Sequence, residues 1–354
     1  MLPKKEASKN NRILVFFFMA AILLSAAFVQ CNNPVKKVNR AFYHWKSSVR
    51  LSEHEIQVLD SLQVSTLYVK LFDVDWDDEN RRPIPAAKLS AKGKEALSKY
   101  QVIPVVFITN ECVQKIDSSQ TKDLAEKIHE LIKDICLLNQ IDSITEIQID
   151  CDWTASTREK YFSILQNIKR LNIETTLSTT IRLHQVKFIA KSGVPPVDKG
   201  LLMCYNMGNL KNPATKNSII ETEELKKYIR NLSTYPLNLD MALPLFEWKV
   251  LFRNNAYRGL IERLPDERLT SSFTSQQSNR TIILKDTLLE GYDLKKGDVL
   301  RNEKSDLEEI LTVAGKINKQ LKNSQVNVSL YHLDSVTLSK YTTHELESIY
   351  RSFH

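Results

Sequence analysis

The residues best suited to chemistry in this 354-residue chain concentrate in the run EIQIDCDWT at 146–154. Ile147, Ile149 and Cys151 alternate there with Glu146, Gln148, Asp150 and Asp152, the period-two pattern of a strand with one apolar and one acidic face. A carboxylate taken out of water needs a counter-charge, a hydrogen-bond partner or a reaction to serve. Asp152, nearest the C-terminal end of the strand, is the stronger catalytic candidate, and Asp150 beside it would raise its pKa. A second carboxylate, Glu247, follows the apolar run PLNLDMALPLF at 236–246. Carboxyl groups about 5 to 5.5 Å apart suit a retaining glycosidase and roughly 6.5 to 9.5 Å an inverting one. In the retaining assignment Asp152 is the acid/base and Glu247 the nucleophile. The alternative for Glu247 is a solvated carboxylate opening the next helix.

The elements that must position these groups follow from hydrophobic period. Eight strand-like runs are read at 41–47, 65–76, 101–110, 146–153, 174–184, 200–207, 236–246 and 324–333. Most precede a helical pattern, among them 52–62, where Ser52 and Glu55 form a capping box, 88–99, 119–138, 157–171, 185–191, 223–232 and 336–350. Strands alternating with helices in this way predict an α/β fold, a single (β/α)8 TIM barrel, with a doubly wound sheet as the alternative. Between the seventh and eighth strands lies an insertion, an excursion over 262–304 that contains a hairpin, with a helix near 305–322 behind it.

In a barrel, alternate residues of each strand face the lumen. That places Glu146, Gln148, Asp150 and Asp152 inside, with Tyr68, Lys70, Ser178, Thr180, Arg182, His184, Asn327, Ser329 and Tyr331. Such a lumen is polar, and Lys70 and Arg182 are expected to neutralise Asp150 and Glu146 in a buried ion network. At the C-terminal ends of the strands the sequence offers His44, Asp73, Trp153, Tyr205 and Asn206 beside Asp152 and Glu247. Carboxylates interleaved with aromatic rings suit a sugar, whose hydroxyls need acceptors and whose C–H faces stack on rings. For each tryptophan singly, packing against the helix layer is the competing reading.

The strand IQIDCDWT resembles the DGxDxDxE strand of family 18 glycoside hydrolases, the chitinases and endo-β-N-acetylglucosaminidases, and MCYNMG at 203–208 is similar to their MxYD strand. The resemblance implies a TIM barrel acting on a carbohydrate. It gives Asp150 and Asp152 the last two aspartate positions and Tyr205 the tyrosine that helps seat an acetamido group. Thr154 stands where those enzymes carry the glutamate that protonates the leaving group, and Asn206 stands in place of their aspartate. The barrel therefore suits either a hydrolase with another acid, a carbohydrate-binding barrel without catalysis, or a structural protein.

Residues 1–30 read as an export signal: Lys4, Lys5, Lys9 and Arg12 precede an apolar run from Ile13 to Val29 that ends at Cys31. The arrangement resembles a bacterial lipoprotein signal, with Cys31 as the lipidation site, 31–40 as a tether and 41–354 as the barrel; the whole resembles lipoproteins of Bacteroidetes-type bacteria. Gln30 departs from the usual small-residue box, and an uncleaved anchor helix or cleavage near Ser25–Ala27 are the other readings. The expected setting is the periplasm or outer membrane, with the membrane as a partner. The chain carries a formal charge of +7; loss of Lys4, Lys5, Lys9, Arg12 and Glu6 with the leader takes away a net three. The remaining basic residues are scattered, so nucleic acid is not expected. Cys112, Cys136, Cys151 and Cys204 lack metal-ligand spacing and are expected as buried thiols, although three disulfide pairings remain open in an oxidising compartment. Neither cofactor nor metal is expected, since phosphate-loop, serine-hydrolase and zinc patterns are missing. The pattern does not fix an oligomeric state.

Overall fold

The computed structural model describes residues 36–90, 97–262 and 264–353. The leader, Cys31 and half of the helix expected at 88–99 lie outside these residues. The chain divides into a short N-terminal unit and a unit from Lys37 to His354, and the latter is the α/β barrel.

Its strands are β1 (Lys37–His44), β2 (Thr66–Asp77), β3 (Arg82–Ala86), β4 (Gln101–Ile108), β5 (Glu146–Asp150), β6 (Thr176–Arg182), β7 (Lys199–Met203), β8 (Leu239–Pro244) and, after an insertion, β16 (Gln325–Tyr331). β1 pairs in parallel with both β2 and β16, so the order β1-β2-β4-β5-β6-β7-β8-β16 closes on itself as eight parallel strands. β3 folds back on β2 as an antiparallel extension. β1 starts at Lys37, four residues before the strand expected there, because Lys37–Arg40 continue its pairing with Gln325–Val328.

The apolar residues that the alternation turns outward, Leu67, Val69, Ile147, Ile149, Ile181, Val326, Val328 and Leu330, are all buried. In β2 the register shifts between Lys70 and Phe72, so the alternation breaks at Leu71. The outward residues meet helices whose apolar stripes recur every three or four residues: Leu124, Ile128, Ile132 and Ile135 in the helix Thr121–Leu138, and Tyr161, Ile164, Leu165 and Ile168 in the helix Arg158–Leu171. Each such side chain contributes about 1.5–3 kcal/mol by leaving water. The Ser52–Glu55 capping box forms as expected at the helix Glu53–Ser61.

After β8 the structure rules out the alternative for Glu247, a carboxylate opening a helix, because strands follow there. The insertion begins at Glu247, not at 262, with β9 (Glu247–Arg253) and β10 (Ala256–Ile261), followed by β11 (Thr274–Gln277), β12 (Arg280–Ile283), β13 (Thr287–Leu289), β14 (Tyr292–Leu294) and β15 (Val299–Lys304). Asn254 and Asn255 take positive φ in the β9–β10 turn, the conformation that two-residue hairpins require and asparagine tolerates. Five of these strands form one antiparallel sheet in the order β10-β9-β15-β12-β11. A small core of Ile261, Leu264, Ile283, Leu294 and Leu300 supports it.

Candidate functional site

The lumen is polar from bottom to top, and its charges pair in an arrangement the sequence reading did not foresee. At the lower end the Lys199 ammonium lies 2.7 Å from Glu146 and 2.7 Å from Asp240. Asp240 also accepts from the Asn327 backbone N–H at 2.8 Å, and Ser178 donates to Glu146 at 2.6 Å. Burial still raises the Glu146 pKa, with Lys199 opposing it. Above this layer the Tyr43 hydroxyl donates to fully buried Gln148. Lys70 and Arg182 make their direct ion pairs elsewhere than with Glu146 and Asp150, although the charge of Arg182 still lowers the pKa of Asp150. Lys70 lies 2.9 Å from Asp73, and Arg182 grips Asp152 through both Nε and Nη2, the latter at 2.6 Å. Lys199 was missed because it sits one residue before the apolar run that marked its strand.

Asp150 occupies the next level, 4% exposed, and accepts a hydrogen bond from Thr180. Burial, and then the charge of Asp152, push its pKa up to about 7. A carboxyl in that range exchanges its proton near neutrality, the property expected of an acid or base at a reacting centre.

Over this level opens a cavity of about 1310 Å³, lined by Asp150, Asp152, Arg182, Tyr205, Asn206 and Glu247 from the expected set. Asp152 and Glu247 thus face one cavity. Aromatic rings form much of its wall: Tyr205 stacks on Tyr331 with centroids 5.3 Å apart, Trp45 meets Tyr331 edge-on at 5.9 Å, and Phe246 lies 5.2 Å from Trp248. The Tyr331–His332 peptide at this rim is cis. Glu247, at the start of β9, is ion-paired with Lys340. Lys46, also on the cavity wall, pairs with Asp334 at 3.0 Å.

Three expected site residues are placed elsewhere. Trp153 is 1% exposed, stacks at 5.2 Å on Tyr161 and donates its indole N–H to Ser192 at 3.0 Å. It continues the outward series Ile147, Ile149, Cys151 and so belongs to the helix layer. His44, between the cavity-lining Tyr43 and Trp45, is buried away from the cavity. Burial, with Lys46 nearby, lowers its pKa to about 4. Asp73 serves as the partner of Lys70 and does not line the cavity. Thr154, at the position of the resemblance's glutamate, also lies outside it. Its hydroxyl is 2.9 Å from that of Ser156, and its backbone N–H donates to Thr157 at 2.9 Å, so it shapes the turn into the helix Arg158–Leu171.

One cavity wall comes from the insertion, fixed by a buried pair that sequence reasoning missed. Arg301 and Glu303, both on β15, meet at 2.5 Å with side chains fully shielded from solvent. Glu303 accepts from the Trp248 indole at 2.6 Å, and Arg301 donates to the carbonyls of Asn212 at 2.6 Å and Leu210 at 2.9 Å. The pair joins the loop that follows Tyr205 to the sheet that carries Trp248. Their spacing of two on a predicted hairpin strand marked a shared face, but not a buried one.

Among the described residues no group of His, Cys, Asp and Glu is placed to hold a metal ion. Cys112, Cys136, Cys151 and Cys204 are buried as free thiols. Burial pushes Cys112 and Cys136 up to about 12. No helix among the described residues is long and apolar enough to cross a membrane.

No family model matches the chain, and no curated protein matches its sequence. Solved structures do match its fold. The spore cortex-lytic enzyme SleL of Bacillus cereus aligns with TM-score 0.54 at 14% identity, over 90% of this chain and 75% of its own. A chitinase from Bacteroides thetaiotaomicron aligns with TM-score 0.54 at 12% identity, over 90% and 98%. A chitinase from Chromobacterium violaceum aligns with TM-score 0.51 at 9% identity, over 90% and 98%. At these identities the likeness is one of fold: a chitinase-like TIM barrel.

Proposed function

We propose that this protein binds a glycan chain across the open mouth of its barrel and does not cleave it. The cavity supports the reading by its chemistry: rings for the C–H faces of sugars and carboxylates for their hydroxyls. The observation that carries the absence of cleavage is the engagement of both Asp152 oxygens by Arg182. With Thr154 outside the cavity and both Asp152 oxygens held by Arg182, the pair presents a fixed, charged surface to sugar hydroxyls. A second reading, hydrolysis by Asp152 and Glu247, is favoured by one fact, that both face the same cavity.

Calorimetry with N-acetylglucosamine oligomers and other neutral glycans, paired with product analysis after long incubation, separates the two. Binding without products is expected, and Trp248→Ala should weaken it, since that ring lines the cavity and offers a stacking face to a sugar. Products that vanish in Asp152→Asn while binding persists would establish the second reading. Failure to bind any glycan would refute both.

We propose also that the leader exports the chain and that Cys31 carries a lipid anchoring the barrel in the cell envelope. The basic residues, the apolar run and the cysteine at its end support this. Growth with a labelled fatty acid should label the wild type and not Cys31→Ser, and the variant should leave the membrane fraction. Equal labelling of both forms would sink the proposal.

A further inference from the structure

The end of the barrel opposite the mouth carries an apolar patch. Leu137 and Leu138 close the helix Thr121–Leu138, Leu171 closes the helix Arg158–Leu171, and Ile173 follows it. They are 80%, 63%, 40% and 79% exposed. The two helices pack side by side and lead into β5 and β6 respectively, so all four residues lie below the N-terminal ends of those strands. Of the other exposed large apolar residues, Leu284 and Leu288 belong to the insertion, Val336 to the cavity rim, and Phe188 follows the helix Leu183–Lys187 after β6. Helices normally turn such side chains inward, and four together in water are a surface awaiting a cover.

The same end of the barrel is where the chain enters. β1 starts at Lys37 and runs parallel to its neighbours, so Lys37 lies at the end bearing the patch. It lies six positions after Cys31, and a fully extended chain over that interval spans about 20 Å. A barrel anchored at Cys31 cannot stand far from the bilayer, and the end that meets it first is this one. A stretch retained as an anchor helix and ending near the same cysteine would impose the same limit.

We propose that this end of the barrel rests on the membrane, with Leu137, Leu138, Leu171 and Ile173 seated among the lipid headgroups, so that the mouth points away from the bilayer. The proposal rests on the anchoring proposed above and not on glycan binding. Apolar side chains that enter the interfacial region add affinity in proportion to the area they bury, and basic residues beside them add attraction to anionic lipid. Lys133 and Arg170 lie within one turn of the patch. Burial of the four cysteines in the barrel leaves it free for site-specific labelling.

Leu137→Cys, Ile173→Cys and Leu288→Cys in the full, anchored chain would each receive an environment-sensitive dye and be reconstituted into vesicles of phosphatidylethanolamine and phosphatidylglycerol. With the protein floating with the vesicles, the dyes at 137 and 173 should shift to the blue and lose iodide quenching several-fold relative to 288. Flotation with all three dyes equally quenched would overturn the orientation and leave the anchor standing. A chain that does not float would overturn both. Protection at 137 that appears without vesicles and grows with protein concentration would assign the patch to a second copy of the chain, and would overturn the membrane reading.

Discussion

Asp150 shows how position converts an ordinary carboxyl into one that titrates near neutrality. In the unfolded chain it has its usual value of 3.8, and in the barrel burial and Asp152 raise that to about 7. Between these values the folded state binds the additional proton, so the stability contributed by protonated Asp150 is fully present below about pH 4 and is lost as pH rises through about 7. Asp150→Asn retains the acceptor for Thr180 and removes the charge. It should therefore stabilise the protein near pH 8, by up to the order of 4 kcal/mol, with the difference closing near pH 4. Thermal melts of both forms across that range test this, and a pH-independent difference would refute it. The acidic face was legible in the sequence because alternation runs unbroken through the pairing of β5 with β4 and β6. The partners of each charge were not, since pairing depends on which strands come within reach of one another: from β7, Lys199 reaches Asp240 on the adjoining β8 and Glu146 on β5, one strand beyond its neighbour β6. Trp153 was misplaced for the reverse reason, a rim position in sequence outweighing an outward parity that the alternation had already set.

At the scale of elements, the wall of the cavity depends on β15. Removing one member of a buried ion pair leaves the other uncompensated and costs about 3–5 kcal/mol. Glu303→Gln should lower stability by an amount of that order in urea unfolding, and it should also shift Trp248 fluorescence, since that indole donates to Glu303. The double change Arg301→Met with Glu303→Leu should recover only part of the loss, because the carbonyls of Asn212 and Leu210 lose their donor. Full recovery would show that the pair does not hold the loop. The eight barrel strands were legible almost to their ends, as each is an apolar run of the right length between helical patterns. The insertion was only half legible. Its β12–β15 segment showed as a hairpin, but β9 and β10 were passed over although Trp248, Val250 and Phe252 alternate around an Asn-Asn turn.

For the whole molecule, the two ends of the barrel carry different features. The C-terminal end gathers the cavity, the rings and the insertion, as α/β barrels place variable loops there. The opposite end receives the chain and bears the exposed leucines. Between them the lumen is filled, and the bridge from Glu146 through Lys199 to Asp240 shuts its lower end. The barrel is consequently a cup and not a conduit. A polymer cannot be threaded through it from one end to the other: a ligand must arrive and depart over the same rim, and a long chain can be held only sideways, with both of its ends free in solvent.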